Sequence, residues 1–203
     1  MTPRTRCILA CLTLFASSVF RSARAASVWN ETSNGDLSNL PLAPTAINLS
    51  VGSNTLSATM PGADLDFFTI NIPAGTQLDN IFMTSYTGFD QISFIAIAPG
   101  AQVPASAVQT YDPAGLLGYA HFGLGIDDLG YDMLPELGIT QFGVPGFSIP
   151  LASGTYSFWV QQESPFDTGY TFDFSVSQVP EPTSISLAAL VGASVLFTRR
   201  RSS

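Results

Sequence analysis

Between Arg24 and Arg199 the 203-residue sequence has no lysine or arginine. Its seven cations sit at the two ends: Arg4, Arg6, Arg21 and Arg24, then Arg199, Arg200 and Arg201. Residues 26–178 carry every one of the 15 Asp and Glu except Glu181, so that segment has a charge of about −14. Phosphate-backbone binding works by Lys and Arg displacing counterions, so no nucleic-acid partner is expected. Direct adsorption to anionic lipid headgroups is disfavoured by the same sign argument. Cysteine is nearly absent too. Cys7 and Cys11 both lie near the start, which leaves the remaining chain without disulfides, thiol nucleophiles or thiolate metal sites.

What the two ends do contain is ordered. At the start, Arg4 and Arg6 precede an apolar run from Cys7 to Phe20 and then Ala23-Arg24-Ala25, the small-x-small pattern of a signal-peptidase site. Residues 1–25 therefore read as a secretory signal peptide handled by the Sec translocon and signal peptidase. An amphipathic first helix fits the flanks and length less well. A lipoprotein cleavage at Cys11 would leave almost no apolar run before it.

Residues 179–203 begin with Val179-Pro180-Glu181-Pro182, continue as an uncharged, mostly apolar run from Thr183 to Thr198, and end in the Arg199–Arg201 cluster. Prolines on both sides of Glu181 favour an extended strip that a protease can grip. The run is slightly short of the ~20 residues that cross a bilayer, a mismatch that snorkelling arginines relieve. The positive-inside rule keeps Arg199, Arg200 and Arg201 cytoplasmic and the rest of the chain outside, in agreement with the signal peptide.

Pro180, Glu181 and Pro182, the transmembrane helix expected after them and the terminal arginines closely resemble the PEP-CTERM sorting signal of Gram-negative bacteria. The resemblance implies recognition by an exosortase, release from an inner-membrane-anchored precursor, and delivery to the cell surface or an exopolysaccharide-rich extracellular matrix of a biofilm. A plain membrane anchor with a coincidental Pro-Glu-Pro is the competing reading.

Residues 26–178 are long enough for one domain with an ordinary apolar core. Alternating or β-branched runs recur at 55–59, 67–72, 78–86, 91–98, 154–162 and 170–176, each bounded by Gly, Pro, Asn or Asp. No capped helical period appears between the ends. The expected fold is all-β: a single antiparallel β-sandwich or jelly roll. The interval from Pro99 to Pro150 is glycine-rich and reads as loops with short strands such as 117–122. The segment Asp64-Leu65-Asp66-Phe67-Phe68-Thr69-Ile70-Asn71-Ile72-Pro73-Ala74-Gly75-Thr76, with the later 151–160 and 169–172 stretches, resembles bacterial pre-peptidase C-terminal domains. Those are small β-sandwiches appended to secreted proteins, and the 98–149 interval is longer than they usually carry.

Few residues suggest chemistry. Asp64 and Asp66, and separately Asp127, Asp128 and Asp132, offer hard oxygen donors suited to Ca²⁺. Asp64 and Asp66 are the better pair because Asp-x-Asp at a strand start directs both side chains to one face, although solvated turn carboxylates are the bland alternative. The single histidine, His121, has no G-x-S-x-G serine to serve, and scattered carboxylates do not single out a glycosidase pair. No enzymatic activity is expected. Trp29, Tyr86, Phe89, Tyr111, Tyr119, Tyr131 and Trp159 could stack on sugar rings. Trp159 alternates with Phe158 and Val160, which makes it either an exposed ligand platform or part of a second buried face. Two functional expectations follow. One is a sorted, non-catalytic envelope protein; the other is a Ca²⁺-assisted carbohydrate-binding module.

Overall fold

The structure, a computed structural model, describes residues 25–89, 91–162 and 166–180. The signal-peptide reading, apart from Ala25, and Glu181, Pro182, the expected transmembrane helix and Arg199, Arg200 and Arg201 lie outside the described residues. Among the described residues, no helix is long and apolar enough to cross a membrane.

The fold is all-β. The described residues form eight strands: β1 (Ala26–Asn30), β2 (Thr45–Asn48), β3 (Gly52–Met60), β4 (Leu65–Gly88), β5 (Ser93–Pro99), β6 (Gly118–Phe122), β7 (Leu151–Gln162) and β8 (Thr168–Gln178). Three short helices accompany them: α1 (Glu31–Asn34), α2 (Ala105–Thr110) and α3 (Leu134–Leu137). The strands hydrogen-bond in the order β1-β3-β8-β4-β7-β5-β6, with β2 also on β4. Five pairings are antiparallel. The β1–β3 and β2–β4 pairings are parallel, so the sheet is mixed where a purely antiparallel one was expected.

One long strand explains how a continuous sheet makes two layers. The runs 67–72 and 78–86, read from sequence as separate strands, are both parts of β4. Its first part pairs with β2 and β7, and its second with β8. Between them lies Pro73-Ala74-Gly75-Thr76, where Gly75 takes φ 76°, a left-handed conformation costly for any residue with a Cβ. The Thr76 hydroxyl closes the bend on the Pro73 carbonyl at 2.7 Å. The half β2-β4-β7-β5-β6 thus turns to face the half β1-β3-β8-β4.

Aromatic rings fill the interval between the halves. Phe68 stacks on Phe158 at 5.1 Å, both meet Phe174 of β8 edge-on, and Phe122 of β6 meets Phe172 edge-on at 5.2 Å. The expected alternation holds along β8, where Tyr170, Phe172, Phe174 and Val176 all point into this core. In the second part of β4 the inward residues are Leu78, Ile81, Met83 and Tyr86. That spacing departs from strict alternation because the register shifts between Leu78 and Asn80 and again between Met83 and Ser85, each bulge adding one residue.

A second core lies on the opposite face of β4, β7 and β5. Phe67, Trp159, Ala96 and Ala98 pack there against Val103, Ala107, Leu116 and Val144. Those covering residues come from the glycine-rich 99–150 interval. Strands buried on both faces read as continuous apolar runs, as Ser93–Pro99 does.

Candidate functional site

The candidate cation site begins at the turn after β1. The Asn30 side chain caps α1 by accepting from the Thr32 backbone N–H at 3.0 Å, and Asn34 Oδ1 accepts from the Asn30 N–H at 3.0 Å. This tight loop carries Glu31 and Asp36 toward the start of β4. There Glu31, Asp36 and Asp66 each bring a carboxylate oxygen within 4.8 Å of the other two.

Each of the three is held differently. Glu31 Oε2 accepts from the Thr59 N–H at 2.6 Å and from its hydroxyl at 2.9 Å, while Oε1 accepts from the Leu37 N–H at 3.2 Å. Burial raises the Glu31 pKa, and those hydrogen bonds partly offset it. Asp36 is exposed. Asp66 has no exposed surface. Its Oδ2 accepts from the Tyr170 hydroxyl at 2.8 Å, and its Oδ1 is buried with no hydrogen-bond partner. Desolvation pushes the Asp66 pKa up to about 8; the Tyr170 hydrogen bond pulls it down, and repulsion from Glu31, Asp64 and Asp36 adds to the rise.

The expected Asp64 and Asp66 pair is therefore redistributed. Asp64 precedes β4, so strand alternation does not govern it, and its Oδ1 accepts from the Leu65 N–H at 2.9 Å. Glu31 and Asp36 take the places beside Asp66. Both are distant in sequence, and the parallel pairing of β1 with β3 helps to bring them there. Asp132, from the other acidic group, clips a loop to β4 by accepting from the Ile81 N–H at 3.0 Å and from Asn80 Nδ2 at 2.8 Å.

Trp159 belongs to the second buried face, being only 3% exposed, and the exposed-platform alternative fails. The 99–150 interval covers it. It still forms part of a recess of about 160 Å³ lined by Phe94, Tyr111, Tyr119, Phe142, Leu116 and their neighbours. Tyr111 and Phe142 keep 76% and 84% of their surfaces exposed. Tyr111 ends α2 with φ 53°, a left-handed conformation unusual for an aromatic residue. The Tyr119 hydroxyl donates to the Phe142 carbonyl at 3.3 Å. Sequence reasoning singled out Tyr111, Tyr119 and Trp159 but missed Phe94 and Phe142.

The remaining candidates scatter. Tyr86 is buried, with its hydroxyl 2.8 Å from Ser93 Oγ; Phe89 is exposed and meets Phe166; the Tyr131 hydroxyl donates to Glu136 at 3.3 Å. Trp29 is partly buried against the main core. His121 lies on β6 and meets Phe94 edge-on at 5.8 Å. Pro180 is exposed just beyond β8.

The carboxylates and the recess lie on opposite faces of one half-sheet. Phe67 pairs across with Trp159 and Asp66 with Val160, and successive strand residues point to opposite sides. An ion at Asp66 would not touch a ligand over Trp159.

No family model and no curated protein matches the chain. Among solved structures, the Aeromonas hydrophila PliG, a periplasmic inhibitor of g-type lysozyme, is similar at 18% identity and TM-score 0.35 over 66% of this chain and 96% of that one. The Salmonella Typhimurium PliG is similar at 15% identity and TM-score 0.31 over 66% of this chain and 98% of that one. Likenesses this slight carry nothing on function.

Proposed function

We propose that this chain is an exported, non-catalytic β-domain protein that an exosortase sorts to the bacterial envelope or extracellular matrix. The observation that carries the reading is where the last described strand, β8, ends. The Val179 N–H donates to the Gly75 carbonyl at 2.9 Å, and Pro180, next in the chain, is exposed. Cutting at the Pro180-Glu181-Pro182 strip would leave every strand pairing of the described residues intact. The confinement of all cations to the two ends fits the same scheme, in which both tags are removed and an anionic passenger remains.

Replacing Pro180, Glu181 and Pro182 by alanine tests the sorting role. Uncut precursor should then accumulate in the membrane fraction; normal processing of that variant would refute it.

The aromatic recess favours a second reading, carbohydrate binding. Its volume is well below the ~300 Å³ of sites for drug-sized ligands, so it would take a single ring, and a chain without cations in this domain suits a neutral sugar. Exposed Phe142 and Tyr111 would stack on that ring. Phe142→Ala should abolish retention on neutral envelope glycans without loss of thermal stability; unchanged retention would remove this reading.

A further inference from the structure

The geometry points to a calcium-binding site formed by Glu31, Asp36 and Asp66, an ion that would tie the segment after β1 to the buried start of β4. This inference is independent of the sorting reading.

Three observations carry it. First, the spacing is right: oxygens on opposite sides of a calcium ion, each ~2.3–2.6 Å from it, lie about 5 Å apart. The Glu31, Asp36 and Asp66 oxygens, all within 4.8 Å of one another, have the spacing of ligands that a small closure would draw onto one ion. Second, Asp66 is fully buried, one of its oxygens is taken by Tyr170, and the other has no hydrogen-bond partner. Leaving such an oxygen unsatisfied is costly; a cation satisfies it. Third, no Lys or Arg exists anywhere in residues 26–178 to neutralise these carboxylates. Folding alone brings three acidic groups together with no cationic side chain beside them.

The surroundings suit an ion. Glu31 is oriented by Thr59 and Leu37, the kind of outer support that fixes metal ligands. Asp36 is exposed, so the site would meet solvent on that side, where waters would complete the six to eight oxygens that calcium takes. The donors are all carboxylates, with no cysteine or histidine among them, which favours a hard cation over zinc or copper. Magnesium needs shorter distances and near-ideal octahedral geometry, so calcium is the better fit.

Titrating CaCl2 into the EDTA-stripped full chain by calorimetry, with melting temperature measured in parallel, tests the site. We expect one saturable calcium per chain, with a dissociation constant at or below about 10⁻³ M, the weak end for extracellular modules, and a rise in melting temperature. Asp66→Asn and the exposed variant Asp36→Asn should each weaken binding by at least about tenfold, and Thr59→Val by about tenfold through Glu31. At pH 9, Asp66→Asn should also raise the melting temperature of the metal-free chain, because it removes repulsion between carboxylates, a change that mere structural damage would not produce. Absence of binding at about 10 mM CaCl2, ten times the weakest value expected, would overturn the proposal. Full binding by both Asp66→Asn and Asp36→Asn, or equal affinity for MgCl2, would do the same.

Discussion

The Tyr170 hydroxyl donates a 2.8 Å hydrogen bond to Asp66 inside the main core, joining β8 to the start of β4. It is the one hydrogen bond that the Asp66 carboxylate receives among the described residues, and burial holds the Tyr170 hydroxyl well above the ordinary tyrosine range, so Tyr170 stays the donor. Tyr170→Phe leaves both carboxylate oxygens of Asp66 without a donor. A lost hydrogen bond to a charged group costs about 1.5–3 kcal/mol. Denaturant unfolding of the variant with EDTA at pH 8.5 should show a loss of that size, and a smaller loss at pH 5, where Asp66 is protonated. An equal loss at both pH values would mean that the bond does not serve the charged form.

The metal-free chain should itself be less stable in alkali than in mild acid. Asp66 has a folded pKa of about 8 against an ordinary 3.8, so the folded state binds the proton more tightly. Stability then falls as pH rises from about 4 to about 8, and Glu31, also raised, adds in the same direction. Melting curves in EDTA should show the decline, and Asp66→Asn should flatten most of it. A flat profile for the unaltered chain would contradict the electrostatic description of this corner.

Trp159 and Phe142 share a recess but should behave oppositely on truncation. Trp159 is buried in the second core, and replacing such a ring by alanine costs about 3–5 kcal/mol. Phe142→Ala removes a ring that is 84% exposed and should change stability by less than about 0.5 kcal/mol. Urea unfolding distinguishes the two; a large loss from Phe142→Ala would mean that it is part of the fold and not of a binding rim.

Gly118 leaves no space for a side chain. A Cβ there would lie 1.8 Å from the Leu137 carbonyl oxygen, backbone that cannot move aside without displacing α3. Gly118→Ala should lower stability by several kcal/mol, as overpacking against backbone does; thermal denaturation within a few degrees of the unaltered chain would contradict the close approach of β6 and α3.

Strand alternation made much of this fold legible. The 170–176 and 154–162 runs appear as β8 and β7 with the expected residues inward, because period-2 patterning survives wherever one face meets a core. It failed where chemistry broke the pattern. The bend at Gly75 hid the continuity of β4, two bulges shifted its inward residues, and β1 and β2 are too short to show a period. At the candidate site, Asp66 was legible from Asp-x-Asp, but Glu31 and Asp36 reach it only through the fold. The burial of Trp159 depended on small apolar residues, Val103, Ala107 and Val144, scattered through a segment rich in glycine. No local pattern marks such residues as a lid over the sheet.

The most direct test of the export and sorting account is the intact mass of the mature protein recovered from the envelope of cells that produce it. The account expects a chain that begins at Ala26 and ends close to Pro180, Glu181 and Pro182, with any mass beyond that polypeptide reporting an attached group. A full-length chain in the cytosol, with Arg4 and Arg201 still present, would contradict it.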